Sequence, residues 1–155
     1  MQKEWHKDPK LQGRLHPDYP DDLQVVVHNG GPRLSKNRPE LVWVRIIECK
    51  DNIYSGEVLN QPKQLEEINQ ASIIDFIIPE TGEFPLQVRE KYLSERANWI
   101  INPCNKCGLT ELFDAPSDLI KVTFPDAPSD AILEMFTAFC GFCDGVQVIQ
   151  YKDAS

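Results

Sequence analysis

Three observations predict an α+β fold. β-Branched runs bounded by turn residues recur between residues 23 and 101. Helix-like apolar spacing occurs over 86–96 and 128–139. Four of the five cysteines stand in two Cys-x-x-Cys pairs late in the chain. The organisation expected is an irregular arm (1–22), a bent, mostly antiparallel, small barrel-like sheet (23–97), and a cysteine-bearing unit with one helix (98–155) packed on that core. A chain of 155 residues with 41% hydrophobic residues is large enough for one real core plus a small metal-held unit.

The arm is polar and proline-bearing, with Trp5, Leu11, Leu15 and Tyr19 as its packing residues. Leu23–His28 is β-branched and short, hence a strand, and it ends at the turn signal Asn29-Gly30-Gly31-Pro32. No P-loop lysine follows these glycines, so they do not read as a phosphate cradle. Leu41–Cys49 is the strongest strand and meets Ile53–Asn60 across Lys50-Asp51-Asn52, a hairpin. Val42, Val44 and Ile46 line one face of it; Trp43, Arg45 and Ile47 line the other. Gly56 inside the second strand signals a bulge or a tight bend.

Residues 65–69 suggest one helical turn, and Ile73–Ile78 is a strand closed by Pro79-Glu80-Thr81-Gly82. A helix is expected over 86–96, then a short strand at 99–102. The pentapeptide Asp-Ala-Pro-Ser-Asp occurs at 114–118 and again at 126–130. Its second copy precedes the helical spacing of Ile132, Leu133, Met135, Phe136 and Phe139, and therefore reads as a helix start. The first copy precedes the β-branched run 119–124 and reads as a turn before a strand. Val146–Gln150 is the final strand, and pairing it with 99–102 brings the cysteine pairs together.

Those pairs are Cys104/Cys107 and Cys140/Cys143, separated by 32 residues. A two-residue gap lets both thiolates face one ion, and two such pairs make a tetrahedral Cys₄ zinc set. The glycines beside them, Gly108, Gly141 and Gly145, suit the tight backbone such turns need. The expected cofactor is one structural zinc ion in a zinc-ribbon-like unit. Two disulfides are the alternative for an oxidising compartment, and the charged opening Met1–Asp8 is no secretory signal. A redox Cys-x-x-Cys needs one pair at a helix start, whereas the Cys104 pair follows a strand and opens no helix. Iron–sulfur clusters favour tighter cysteine spacing.

Composition narrows the function classes. Asp and Glu number 24 against 16 Lys and Arg, a net charge of −8, which argues against binding a phosphate backbone. No apolar run reaches the ~20 residues of a membrane span. Together with the absence of a signal segment, the paired thiols point to the cytoplasm. His6, His16 and His28 lie far from the cysteines in sequence, and the carboxylates Glu66, Glu67, Asp114, Asp118, Asp126 and Asp130 show no acid–base spacing. Cys49 stands alone and reads as an apolar filler.

The segments Leu41-Val42-Trp43-Val44-Arg45, Gly56-Glu57-Val58-Leu59-Asn60-Gln61-Pro62 and Asn98-Trp99 carry a resemblance. Over about residues 40–100 the chain resembles an uncharacterised family of small bacterial β-barrel-like proteins. The resemblance implies a β-rich core and an immunity-type or accessory role in protein binding; the family has no assigned activity, so it carries no catalytic residues across. The cysteine unit goes beyond that family's pattern. The function expected is therefore a non-enzymatic zinc-binding protein acting on a protein partner, a second copy of itself included. Phe139 and Phe142 are the candidate contact residues. A thiol redox protein and a zinc-ribbon nucleic-acid module are the alternatives.

Overall fold

The computed structural model describes residues 4–31, 34–65, 68–79, 84–126, 133–143 and 145–152. Two compact units divide the chain. One comprises Met1–His28, Pro39–Ile78 and Glu83–Val88; the other comprises Asn29–Arg38, Pro79–Gly82 and Arg89–Ser155.

The first unit is a closed barrel of five strands in sequential order, β1 (Asp22–Val27), β2 (Glu40–Lys50), β3 (Ile53–Val58), β4 (Ile73–Ile77) and β5 (Leu86–Val88). Each strand from β1 to β5 is antiparallel to the next. Five alternating strands close only if the last pair is parallel, and β5 does join β1 in parallel, at Val26↔Leu86. Side chains extend that short seam. The His28 N–H donates to Gln87 Oε1 at 2.9 Å, and His28 Nε2 lies 2.8 Å from the Gln87 carbonyl. A carbonyl only accepts, so Nε2 carries the proton. His28 is fully buried and Gln87 nearly so. Gln87→Ala would remove the bond from the fully buried His28 N–H to Oε1, a loss of about 1–3 kcal/mol. The expected result is a lower urea midpoint at unchanged slope, and an unchanged midpoint would contradict the seam's dependence on Gln87.

The β2–β3 hairpin turns on Asp51 and Asn52, both at positive φ (53° and 67°), as a two-residue primed turn requires. Its register shifts between Ile46 and Glu48, opposite Gly56 and Ser55. The bulge signalled by Gly56 is thus real, with the extra residue, Ile47, on the partner strand. A Cβ at Gly56 would overlap Val44 Cγ1 and come within 2.8 Å of the Arg45 carbonyl oxygen, so only glycine lets β3 pack here. Val42, Val44 and Ile46 point inward and are buried; Arg45 and Ile47 on the other face are exposed.

The inward residues of β1 to β4 meet around Tyr54 and Phe76, whose rings stack 5.4 Å apart. Two 3₁₀ turns of the arm, Glu4–Lys7 and Pro9–Leu11, add Trp5 and Leu11 to the same core. Tyr54 donates its hydroxyl proton to the Asp8 carboxylate. Tyr19, by contrast, stays on the surface against His16. The Glu40 carboxylate accepts from the consecutive amides of Lys63, Gln64 and Leu65 at 2.7, 2.9 and 3.2 Å. Burial pushes its pKa up, but these three bonds outweigh it and hold it below the usual value. The helical turn expected over 65–69 includes residues 66 and 67, outside the described residues.

The second unit has helix α1 (Glu90–Arg96), strand β6 (Trp99–Ile101), helix α2 (Pro116–Thr123) and strands β7 (Met135–Phe139) and β8 (Val146–Tyr151). β8 is central, antiparallel to both neighbours, with β6 joining through Ile100↔Gln150 as expected. Three expectations need correction. The helix over 86–96 begins only at Glu90, because Leu86–Val88 closes the barrel. Residues 119–124 are not a strand: Pro116–Thr123 is helical despite its β-branched residues. Pro116 opens it, and Glu95 on α1 caps it by accepting from the Ser117 N–H (2.9 Å) and Oγ (2.7 Å). The third is the helix over 128–139, of which 128–132 lie outside the described residues. Met135–Phe139 is a strand, with Phe136 and Ala138 buried and Met135, Thr137 and Phe139 outward. Apolar residues on both faces imitated helical spacing.

Candidate metal centre

β7 and β8 form a hairpin whose connection contains Cys140 and Cys143, while β6 delivers Cys104 and Cys107. Since β6 and β7 flank β8, both cysteine pairs arrive at the same end of one sheet. Asn102 continues the β6 pairing, its N–H donating to the Val148 carbonyl at 3.0 Å.

Each pair then forms a tight turn around its first sulfur. Cys104 Sγ accepts from the Lys106 N–H and Cys140 Sγ from the Phe142 N–H, both at 3.4 Å. The Gly108 N–H donates to the Cys104 carbonyl at 3.0 Å, with Gly108 at φ +81°, a conformation a side chain would resist. The second turn closes with the Cys140 N–H on the Gly145 carbonyl (2.9 Å) and the Gly145 N–H on Cys143 Sγ (3.3 Å). Asn105 ties the two turns together. Its N–H donates to the Val146 carbonyl at 3.1 Å, and its Oδ1 accepts from the Val146 N–H at 2.8 Å.

The four sulfurs consequently lie within 4.8 Å of one another. Cys104 Sγ is 3.5 Å from Cys143 Sγ, and Cys107 Sγ is 3.5 Å from Cys140 Sγ. None of the four is in a disulfide. A tetrahedral ion with metal–sulfur bonds of about 2.3 Å needs sulfurs about 3.8 Å apart, so small adjustments admit one. The group can hold a metal ion, and the four residues singled out from spacing are the ones brought together.

Their surroundings differ. Cys104 and Cys140 are buried, Cys143 is half-buried and Cys107 is exposed. Burial pushes the Cys104 thiol up, but the Cys107 and Lys106 amides and the neighbouring thiols outweigh it and bring it down to about 6. Burial dominates at Cys140 and pushes its thiol up. Cys107 is exposed as a residue, but desolvation at its sulfur, with the Cys143 and Cys104 thiols beside it, pushes its thiol up as well. Four thiolates this close repel one another, and a dication would relieve that repulsion.

No family model, curated protein or solved structure matches this chain.

What supports the centre was less visible in sequence. Gln147, buried in β8, donates through Nε2 to the carbonyls of Leu109 (2.9 Å) and Glu111 (3.1 Å), holding down the segment after Gly108. An isolated amide at an inward strand position was the available signal. Tyr92 of α1 donates to Glu111 Oε1 at 2.5 Å and accepts from the Leu112 N–H at 2.9 Å. Burial and the Glu111 charge push its phenol well up. Arg96 Nη1 lies 3.5 Å from the same carboxylate oxygen.

The other candidates fall elsewhere. Cys49 packs against the barrel core, and the three histidines belong to the barrel unit. Asp114 is not a solvated surface charge. It is buried, and its Oδ2 accepts from the Gly31 N–H at 2.7 Å, so the chain's own carboxylate occupies the glycine turn. Burial raises its pKa more than the Gly31 bond lowers it. Asp118 pairs with Lys91 at 2.6 Å and Asp126 is exposed; Glu66, Glu67 and Asp130 lie outside the described residues.

Proposed function

We propose that Cys104, Cys107, Cys140 and Cys143 hold one structural zinc ion, and that the unit built on it binds a protein partner without catalysing a reaction. The carrying observation is the convergence of the four sulfurs within 4.8 Å on two hydrogen-bonded turns. Thiolate ligands select soft or borderline ions, and an all-sulfur tetrahedral set is the zinc or iron–sulfur pattern. Four protein ligands leave no position for a reacting water, which favours a structural role. Such an ion retains its thiolates best in a reducing compartment such as the cytoplasm. Among the described residues no helix is long and apolar enough to cross a membrane. Elemental analysis of protein purified under reductant is expected to give one zinc per chain. Absence of zinc, or disulfides at these sulfurs in reduced protein, overturns the assignment.

Partner binding is supported by the outer face of the three-stranded sheet. Strand register places Met135, Phe139 and Ile100 on that face, and they are 59%, 48% and 46% exposed. Phe142, at 38%, stands in the second turn with its ring edge-on to Phe113. Apolar surface gathered beside a rigid centre suits a protein interface. A second copy of the chain is one occupant, and sedimentation equilibrium checks it: Phe139→Asp should abolish any self-association. A wild-type chain that stays monomeric at high concentration removes the homodimer and leaves a different protein as partner.

Nucleic acid fits poorly. The net charge is −8, and Arg45, one of the few clustered bases, is committed to Asp22 through two bonds of 2.9 and 3.2 Å. Submicromolar binding of duplex DNA at physiological salt is not expected, and a titration showing it with a steep salt dependence would reverse this reading.

A further inference from the structure

We propose that peroxide converts the zinc site, whose assignment above this inference rests on, from a metal staple into a covalent one. Two disulfides form across the turns, first Cys107–Cys140 and then Cys104–Cys143. The pairing follows from where the sulfurs stand. Each 3.5 Å sulfur contact joins a cysteine of one Cys-x-x-Cys pair to a cysteine of the other. The order follows from access. Cys107 is the exposed member of the four and Cys143 the half-buried one, while Cys104 and Cys140 are buried. A small oxidant in solvent meets Cys107 first, and the sulfur beside it is that of Cys140.

The chemistry balances with hydrogen peroxide as the oxidant. The Cys107 thiolate attacks one peroxide oxygen; an S–O bond forms, the O–O bond breaks and hydroxide leaves. The Cys140 thiolate then attacks the sulfenic sulfur, forming the S–S bond and expelling a second hydroxide. Two electrons have passed from two sulfurs to one peroxide. Cys104 and Cys143 remain as a two-ligand set, too few to retain zinc against a competing chelator, and a second peroxide joins them in the same way. Disulfides within each Cys-x-x-Cys would leave the two turns without a covalent link, joined only by the Asn105 hydrogen bonds. Disulfides across them keep the β6 end tied to the β7–β8 hairpin after the ion has gone.

The experiment uses the full zinc-loaded chain in a Cys49→Ser background, so that only the four site thiols are counted. Hydrogen peroxide is titrated in the presence of a chromogenic zinc chelator, and samples are alkylated for disulfide mapping by mass spectrometry. One zinc is expected to be released per two thiols lost, with Cys107–Cys140 the dominant linkage at that stage and Cys104–Cys143 appearing as the remaining thiols disappear. The oxidised, metal-free protein should melt above the reduced protein stripped by chelator. Linkages Cys104–Cys107 or Cys140–Cys143, sulfinic acids without disulfides, or thiol loss without zinc release overturn the proposal while leaving the zinc assignment standing. Reduced protein isolated without zinc removes both.

Discussion

Cys140→Ser is expected to cause the largest loss of stability of any single substitution in the second unit, and to make the protein indifferent to chelators. Cys140 is fully buried and contributes one of the four converging sulfurs. Metal binding coupled to folding in small zinc modules amounts to ~10–16 kcal/mol in apparent terms, and a three-ligand site forfeits a large share of it. A serine hydroxyl buried there adds a smaller penalty of about 1–3 kcal/mol. Chelation separates the two effects. Wild-type protein should fall toward the variant's melting temperature when zinc is stripped, whereas the variant should barely move. Cys49→Ser is the control. Cys49 packs half-buried against the barrel, so its loss is modest, and that variant should keep the full chelator response. Equal melting shifts for the two variants would count against a metal-held unit.

Gly145→Ala should weaken metal binding without removing a ligand. A Cβ at residue 145 would overlap Cys104 Sγ, and it would lie 2.9 Å from Asn105 Oδ1 and 3.2 Å from Cys143 Sγ. One methyl group thus presses on two sulfurs and on the amide that ties the turns together. Changes to groups that position ligands typically lower affinity about 10–100-fold, equivalent to about 1.4–2.7 kcal/mol. Zinc competition with a chromogenic chelator reads this directly. Gly13→Ala is the comparison, since Gly13 has φ +80° but open space around it. It should strain the arm and leave zinc affinity unchanged. An affinity for Gly145→Ala within twofold of wild type would show that the second turn has room the geometry does not reveal.

Residue order alone reveals the parts whose cause is local or whose chemistry is scarce. Alternating valines and isoleucines in residues 41–49, a short polar turn and Gly56 specify the β2–β3 hairpin and its bulge, because each acts on its immediate neighbours. The four clustered cysteines were legible because cysteine is rare and the two-residue gap has few other uses. Tertiary structure decided what local pattern left ambiguous. Residues 116–123 are helical because Glu95, some 20 residues away, satisfies the first-turn donors at Ser117, overriding the preference of Ile120, Val122 and Thr123 for a strand. Met135–Phe139 is a strand because β8 pairs with it, and a strand with one buried and one exposed apolar face has no periodicity to distinguish it from a helix. Asp114 became a buried acceptor for Gly31 across 83 positions, a separation over which composition carries no signal. The same holds for the unequal exposure of the four sulfurs. Spacing groups them at one centre, but only the packing of Cys104 and Cys140 beneath the surface sets which thiol meets the solvent.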